Sequence, residues 1–424
     1  MRIALHTGKG GVGKTTISAA TAVAWAAGGA RTLLVSTDPA HSIGDVLGTR
    51  LHGEPTPVPG RPGLFAAQVD TRGRFEQSWR HIRSYLVGVL SARGMAEVQA
   101  EELVVLPGAE EIVALLELRR LAASGDYDAI VVDCAPTGET LRLLALPETI
   151  GFYAQRLLGT PQRVLRTIAA SITGLPGAPN ATVRDAVGEL LSELMAARAL
   201  LADPTITGVR LVLTPERMVV AEARRLFTAL SLHGFAVEAV TVNRLLPPGV
   251  GGEFLRRQRE SQREAMTQVE ESFQGLPIRR VPTRPEEPIG VAQLAELAAD
   301  LFAAGPAPAD PLATVGAGPV TAGTGPAMEV TGSDGWYQLS LPLPLVDRGD
   351  LALSRSGTDL VVTVGDVRRR IALPSGLQRC TTEGASFAGG RLVIDFAADP
   401  AQWPAGLAAG VPGAVPGAAM AGAG

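Results

Sequence analysis

The sequence predicts an α/β fold: a doubly wound, mostly parallel sheet with helical insertions, followed by a small C-terminal β-sandwich. Three observations predict it. The apolar run Ile3-Ala4-Leu5 reads as a buried strand and passes through a glycine-rich turn into an alanine-rich helical pattern, Ile17–Ala27. Further apolar strands, Arg31–Thr37 and Tyr127–Asp133, each run into acids at their carboxyl ends. Beyond a nearly uncharged Ala/Gly/Pro/Thr stretch, the pattern changes to short alternating strands separated by Gly and Asp turns. The boundaries that follow are 1–303 for the α/β domain, with helical insertions at about 74–122 and 146–201. A linker follows at 304–327, then the sandwich at 328–399 and a Gly/Ala/Pro tail at 400–424 that is expected to be disordered.

The turn Gly8-Lys9-Gly10-Gly11-Val12-Gly13-Lys14-Thr15-Thr16 has the composition and context of a phosphate-binding loop. Its glycines let the backbone curl so that successive N–H groups face phosphate oxygens, and the helix N-terminus adds partial positive charge. Gly10, Gly11, Val12, Gly13, Lys14, Thr15 and Thr16 are the candidate nucleotide cradle. Lys14 would reach the β- and γ-phosphates, and the Thr15 hydroxyl would ligate Mg²⁺. Of the 38 basic residues, only Lys9 and Lys14 are lysines, and arginine supplies the positive charge everywhere else. The loop therefore needs a compact ammonium rather than a planar guanidinium, and at two positions.

With its second lysine, Lys-Gly-Gly-Val-Gly-Lys-Thr resembles the deviant Walker A signature of dimeric P-loop ATPases of the MinD, ParA, nitrogenase-iron-protein and ArsA groups. The resemblance implies ATP as ligand, a homodimer, and a Lys9 that crosses the interface to the partner's nucleotide much as an arginine finger does.

Bulk numbers bound the rest. The 424 residues are 46% hydrophobic, enough for two or three domains with a large core. A net charge of −4 and a pI of about 5.9 argue against a dedicated nucleic-acid binder. The first strand starts at once, so no signal peptide is expected, and no apolar run is long enough to span a bilayer. Cys134 and Cys380 are isolated, which excludes a disulfide framework and a Cys-x-x-Cys zinc site. A soluble, cytoplasmic, bacterial-type protein is expected, reaching a membrane only through a partner.

After the first helix come Asp38-Pro39-Ala40-His41-Ser42 and then Asp45. Beyond the strand end, Asp38 is placed for the Mg²⁺ shell and Asp45 for orienting the attacking water. An Asp-Pro turn with a helix-capping acid reads the same residues equally well. Phe75, Trp79, Ile82, Leu86 and Leu90 recur at helical spacing, as a core face more than a ligand groove. Another helix starts at Leu106–Glu111. Asp133, ending its apolar strand, has the Walker B arrangement, in which the acid polarises a Mg²⁺-bound water.

The next residues, Cys134-Ala135-Pro136-Thr137-Gly138-Glu139-Thr140-Leu141-Arg142, narrow the resemblance. They are similar to Asp-Thr-Ala-Pro-Thr-Gly-His-Thr-Leu-Arg of the ArsA family, which holds the arsenite-pump ATPase and the ATPase that delivers tail-anchored membrane proteins. That resemblance implies switch I at Asp38–Ser42, the hydrolytic acid at Asp45, switch II at Asp133–Thr140, and Mg²⁺ held by Thr15, Asp38 and Asp133. Cys134 stands for the family's Thr and Glu139 for its His, and the second exchange puts a carboxylate into the relay segment. The family also implies that Asn243 reads adenine, and that the proline-rich loop containing Pro282 and Arg284 closes over the base. Read without the family, Asn243 is an ordinary strand-end residue.

Phe152, Leu157, Leu158, Leu165 and Ile168 are interleaved with Arg156, Arg163 and Arg166. Helices packed on the core account for this pattern. The resemblance instead makes the five apolar residues candidates for a groove that shelters a hydrophobic client. A clear helix follows, with Val183, Val187, Leu190, Leu191, Leu194 and Met195 on one stripe. Val209–Leu213 and Val237–Val242 read as strands and Glu253–Phe273 as a charged helix. Eukaryotic targeting ATPases carry a zinc clasp near the start of that helix; this chain has no cysteine there, so no zinc is expected and any dimer must close without it.

In the sandwich, strands are expected at Trp336–Leu341, Leu351–Ser354, Asp359–Val364, Val367–Leu373 and Arg391–Phe396. Leu341-Pro342-Leu343-Pro344, Leu360–Gly365 with Arg368-Arg369-Arg370, and Phe387–Ile394 resemble the small-heat-shock-protein (α-crystallin-like) domain. A sandwich used only for oligomerisation remains the plainer reading.

These residues imply a Mg²⁺-dependent ATPase that works as a nucleotide-driven homodimer. Its expected task is targeting or chaperoning hydrophobic, tail-anchored-like membrane-protein segments, with a membrane receptor as further partner. The alternatives are an arsenite/antimonite efflux-pump ATPase, which needs clustered thiolates for a soft metalloid, and a ParA/MinD-like positioning ATPase, which the acidic pI and the lack of a terminal basic amphipathic helix disfavour.

Overall fold

The computed structural model describes residues 1–38, 42–51, 53–68, 109–135, 137–138, 140–141, 144, 181–249, 251–302, 328–333 and 335–403. Pro39, Ala40, His41, Pro136, Glu139, the 75–90 helix and all five client-groove candidates lie outside them. Two compact units divide the chain, Met1–Ala223 with Glu238–Val315, and Arg224–Val237 with Gly316–Gly424.

The first unit is built on an eight-stranded sheet. Its strands are β1 (Arg2–Thr7), β2 (Thr32–Ser36), β3 (Thr56–Pro57), β4 (Leu64–Gln68), β5 (Ala129–Asp133), β6 (Thr207–Leu213), β7 (Val237–Leu245) and β8 (Ile278–Pro282). They lie in the order β3-β4-β2-β5-β1-β6-β7-β8. β1 is parallel to β5 and β6, β2 to β4 and β5, and β7 to β8, while the short β3 pairs antiparallel with β4. Every residue of β1, β2, β5 and β6 is buried, which is why these strands read as near-continuous apolar runs rather than alternating ones. The register sets His6 and Ser36 on either side of Asp133, so three strands end together at one edge.

Helix α1 (Lys14–Ala27) begins at the loop, and its Ala19, Ala20, Ala22 and Val23 are buried. Small side chains let this helix lie close against the sheet. The helices Ala109–Ala123 and Ala181–Ala202 pack on each other, joined by an Arg119–Glu193 ion pair. Among described side chains of the second, Leu194, Ala197 and Leu201 are buried, at helical spacing. Met195 is 49% exposed and does not share their stripe, because it sits about 100° around the helix from Leu194.

A charged cluster is buried among β1, β6 and β7. Glu238 accepts from Arg2 Nη2 and from Arg210 Nε, the latter at 2.6 Å, and Arg2 also donates to the Pro204 carbonyl at 2.8 Å. All three side chains are under one-tenth exposed. Arg210 lies over the Trp25 ring at 5.0 Å. Gly208 leaves room for this cluster: a Cβ there would stand 1.9 Å from the Glu238 carboxylate. The two guanidinium groups outweigh burial and hold the Glu238 carboxyl below its usual range.

The second unit contains two antiparallel sheets, one in the order β14-β15-β10-β9 and the other β11-β12-β13. The strands are β9 (Glu329–Ser333), β10 (Trp336–Pro342), β11 (Leu351–Ser356), β12 (Asp359–Val364), β13 (Val367–Ala372), β14 (Cys380–Ala388) and β15 (Arg391–Ala398). Leu339, Leu341, Leu360, Val362, Ile371, Leu392, Ile394 and Phe396 interleave in one core. The five expected strands are present. β9 and β14 are additional, because β9 is exposed throughout and β14 is buried only at Cys380. With no apolar alternation, they are held by backbone pairing to β10 and β15.

Candidate nucleotide and metal site

The loop after β1 is shaped by its glycines. Gly13 has φ 93°, in the left-handed region, and a Cβ there would lie 2.4 Å from Asn243 Nδ2. Asn243, near the end of β7, donates from that Nδ2 to the Val12 carbonyl at 2.9 Å, and its Oδ1 accepts the Arg244 N–H at 2.9 Å. The expected adenine reader is thus stitched to the loop itself, with one amide N–H and one lone pair left for a base edge. Lys14 is buried, and its Nζ donates to the Lys9 carbonyl at 3.3 Å.

Two expected metal-site side chains, Thr15 and Asp133, meet where β1, β2 and β5 end, with Ser42 beside them. Thr15 Oγ1 donates to Asp133 Oδ2 at 2.7 Å and lies 3.2 Å from Ser42 Oγ. Ser18, one turn further along α1, donates to the Lys14 carbonyl at 2.8 Å and reaches Asp133 Oδ1 at 3.5 Å. Asp133 is fully buried. Burial pushes its carboxyl up to about 7; the Thr15 hydrogen bond and Lys14 pull it back, and the nearby Asp38 pushes it further up. A buried acid flanked by two hydroxyls is a hard-oxygen donor set, and its charge is one that a divalent cation would stabilise. These residues fit Mg²⁺, with Thr15, Ser42, Asp133 and the adjacent Asp38 as its surroundings. Among the described residues no cluster of three or more His, Cys, Asp or Glu forms an all-protein metal cage.

The remaining expected residues are placed more loosely. Asp45 is exposed in the short helix α2 (Ser42–Leu47), one turn beyond Ser42. Pro282 ends β8, and the following Thr283 N–H donates to the Leu245 carbonyl at 2.7 Å. Arg284 pairs with Glu296 at 3.3 Å and Asp300 at 2.6 Å, which ties the proline-rich loop to the helix Val291–Phe302. In the segment expected to be switch II, Thr140 Oγ1 donates to the Ala135 carbonyl at 2.7 Å, and Thr7 Oγ1 donates to Thr140 Oγ1 at 3.2 Å.

Sequence reasoning missed Glu222. It lies on the helix Arg217–Leu232, takes the Thr137 hydroxyl on Oε1 at 2.9 Å, and stands 3.4 Å from Lys9 Nζ with Oε2. It is the sole acid of that helix, and nothing in the local pattern says that it faces the loop rather than solvent. Cys134 is buried beside the site, and burial pushes its thiol far above the usual range; burial also raises Cys380, in the other unit. Neither is poised as a thiolate.

Comparison with known proteins agrees with this geometry. Residues 1–303 match the family described as Anion-transporting ATPase (ArsA), and residues 334–396 match the HSP20-like domain found in ArsA. A Chlorobaculum tepidum protein named "Putative arsenical pump-driving ATPase" is 34% identical over 401 residues, covering 93% of this chain and 96% of its own length. The Mycobacterium tuberculosis protein Rv2184c is 35% identical over 428 residues, covering 95% and 97%. With a glycine-rich loop between β1 and α1, a buried acid ending β5 and these matches across nearly its whole length, the chain belongs to the ArsA ATPase family and is an ATP hydrolase whose sequence continues into an HSP20-like domain.

Proposed function

We propose that the protein is a Mg²⁺-dependent, ATP-driven homodimer that acts on hydrophobic membrane-protein segments as a targeting factor or chaperone. The Thr15–Ser42–Asp133 convergence supports the Mg²⁺·ATP part of this reading. Mg²⁺·ATP would supply the reactive phosphate and offset the buried charge of Asp133. Lys14 would hold the β/γ oxygens, Thr15 and Asp133 would orient the ion and its water ligands, and Asp45 would orient the attacking water. A chain with one phosphate loop needs a second copy to place two nucleotides across an interface, and Lys9 would then act in trans.

The observation that carries the client assignment is the HSP20-like domain joined to a nucleotide switch. The second reading, an ATPase driving arsenite or antimonite efflux, is favoured by the printed name of the Chlorobaculum relative. Against it stands the thiol chemistry: the chain's only two cysteines are buried, and both thiols are raised by burial. A soft metalloid needs thiolates.

The test is purification of Asp45→Asn from its native host, with the complex kept intact, followed by mass spectrometry. The variant is expected to bind ATP, stall before hydrolysis and retain proteins with a single terminal transmembrane helix. Hydrolysis by the wild type that rises on adding arsenite or antimonite, together with no such client on Asp45→Asn, would move the assignment to the pump.

A further inference from the structure

Lys9 and Lys14 are the chain's only lysines, and the structure treats them differently. Lys14 is buried in the loop, whereas the Lys9 side chain is 42% exposed and turned to Glu222 of its own chain. The Glu222 carboxylate is divided between two partners. Oε2 faces the Lys9 ammonium at 3.4 Å, and Oε1 accepts the Thr137 hydroxyl at 2.9 Å. A hydroxyl donating to a charged acceptor is a strong and directional contact, so Thr137 fixes where the second oxygen points. Thr137 belongs to the segment that follows the Walker B acid. One carboxylate therefore joins the loop's first lysine to switch II.

We infer that Glu222 is a positioning residue for ATP hydrolysis: steered by Thr137, it holds Lys9 within its own chain and sets the threshold at which Lys9 is surrendered to a phosphate across a dimer interface. The inference rests on the proposed trans role of Lys9. An ammonium that reaches into a partner's site must first leave this carboxylate, so the two contacts compete. Their strengths suit an exchange. A partly exposed ion pair at this distance biases an equilibrium by no more than about five-fold. The clustered charge of a polyphosphate outweighs it, while the pair still suffices to keep Lys9 in cis until nucleotide and partner are both present.

The small lysine count makes the test direct. Full-length protein grown on lysine labelled with ¹³C at the ε position gives two side-chain signals, and Lys9→Arg assigns them. In Glu222→Gln, which keeps an acceptor for Thr137 but removes the charge, the Lys9 signal is expected to move toward that of free lysine while Lys14 stays in place. Thr137→Val is expected to move Lys9 the same way by less, and Glu222→Asp to restore part of the shift. ATP hydrolysis per protomer, measured against protein concentration, is expected to reach half its maximum at about two- to five-fold lower concentration in Glu222→Gln than in wild type. A Lys9 signal unmoved in Glu222→Gln, or an unchanged half-maximal concentration, overturns the inference and leaves the trans reading intact. A wild-type rate per protomer that does not vary with concentration, with the protein monomeric by sedimentation, overturns the trans reading and this inference with it.

Discussion

At the amino end of β1, Arg2 and Arg210 close on Glu238; beyond its carboxyl end, Lys9 and Thr137 share Glu222. Each cluster puts one glutamate between two donors on separate elements. The first is shut off from water, while the second leaves Glu222 28% exposed and Lys9 42% exposed. Burial turns the Glu238 cluster into a permanent joint between β1, β6 and β7, because removing any member strands a charge that cannot be rehydrated. Partial exposure makes the Glu222 cluster reversible, since water can take over either partner at small cost. The same ion-pair chemistry therefore suits architecture within the sheet and exchange beyond its strand ends.

That contrast predicts a ladder of effects. The largest is expected for Glu238→Ala, which leaves two guanidinium groups facing each other in the core; the first unit is expected to lose about 3–5 kcal/mol in urea denaturation. Lys14→Ala comes next. Removing one preorganised donor of charge stabilisation costs about 10²–10³ in turnover, to be read as phosphate release. Gly13→Ala is expected to cost about 1–3 kcal/mol, from left-handed strain and the clash with Asn243. Its thermal denaturation midpoint and nucleotide affinity should fall together, because Asn243 is tied to Val12. The smallest stability effect is expected for Glu222→Gln, at about 0–1 kcal/mol. A loss as large as that of Glu238→Ala would erase the distinction between the two clusters.

Burial should also show in the pH dependence, at the carboxyl end of β1. His6 is buried, with Nε2 3.4 Å from Thr21 Oγ1, and burial followed by the positive charge of Arg210 and Arg279 holds its ring well below pKa 6.5. Above pH 6.5 both folded and unfolded chains carry a neutral ring, so its contribution is fully present. As pH falls below 6.5 the unfolded chain binds a proton that the folded chain does not, and stability falls by up to about 1.4 kcal/mol per pH unit. Thermal midpoints measured from pH 8 to pH 5 are expected to drop more steeply for wild type than for His6→Gln.

Much of the site was legible from local pattern. The loop Gly8–Thr16, the acid ending the run Tyr127–Asp133, and the strands between them announce themselves, because a phosphate loop needs its glycines and lysines in fixed order and a doubly covered strand must be apolar throughout. β4, β9 and β14 were not legible. β4 (Leu64–Gln68) has neither a glycine-rich loop nor an acid at its end to announce it, and β9 and β14 lack an apolar face, so those two depend on a partner strand's backbone. The partners of Arg284 were not legible either, since Glu296 and Asp300 follow it by 12 and 16 residues.

The sequence by itself determined the phosphate chemistry, the order of the two folded units and the family, since each rests on residues close together in the chain. Tertiary structure decided which side chains meet. It brought Ser42 and Asp133 to Thr15, Asn243 to Val12, and Glu222 to both Lys9 and Thr137. Such meetings join positions from 27 to more than 200 residues apart, across a sheet whose strand order differs from chain order. No local spacing encodes them, because they arise only when parallel strands end side by side and aim their loops at one edge.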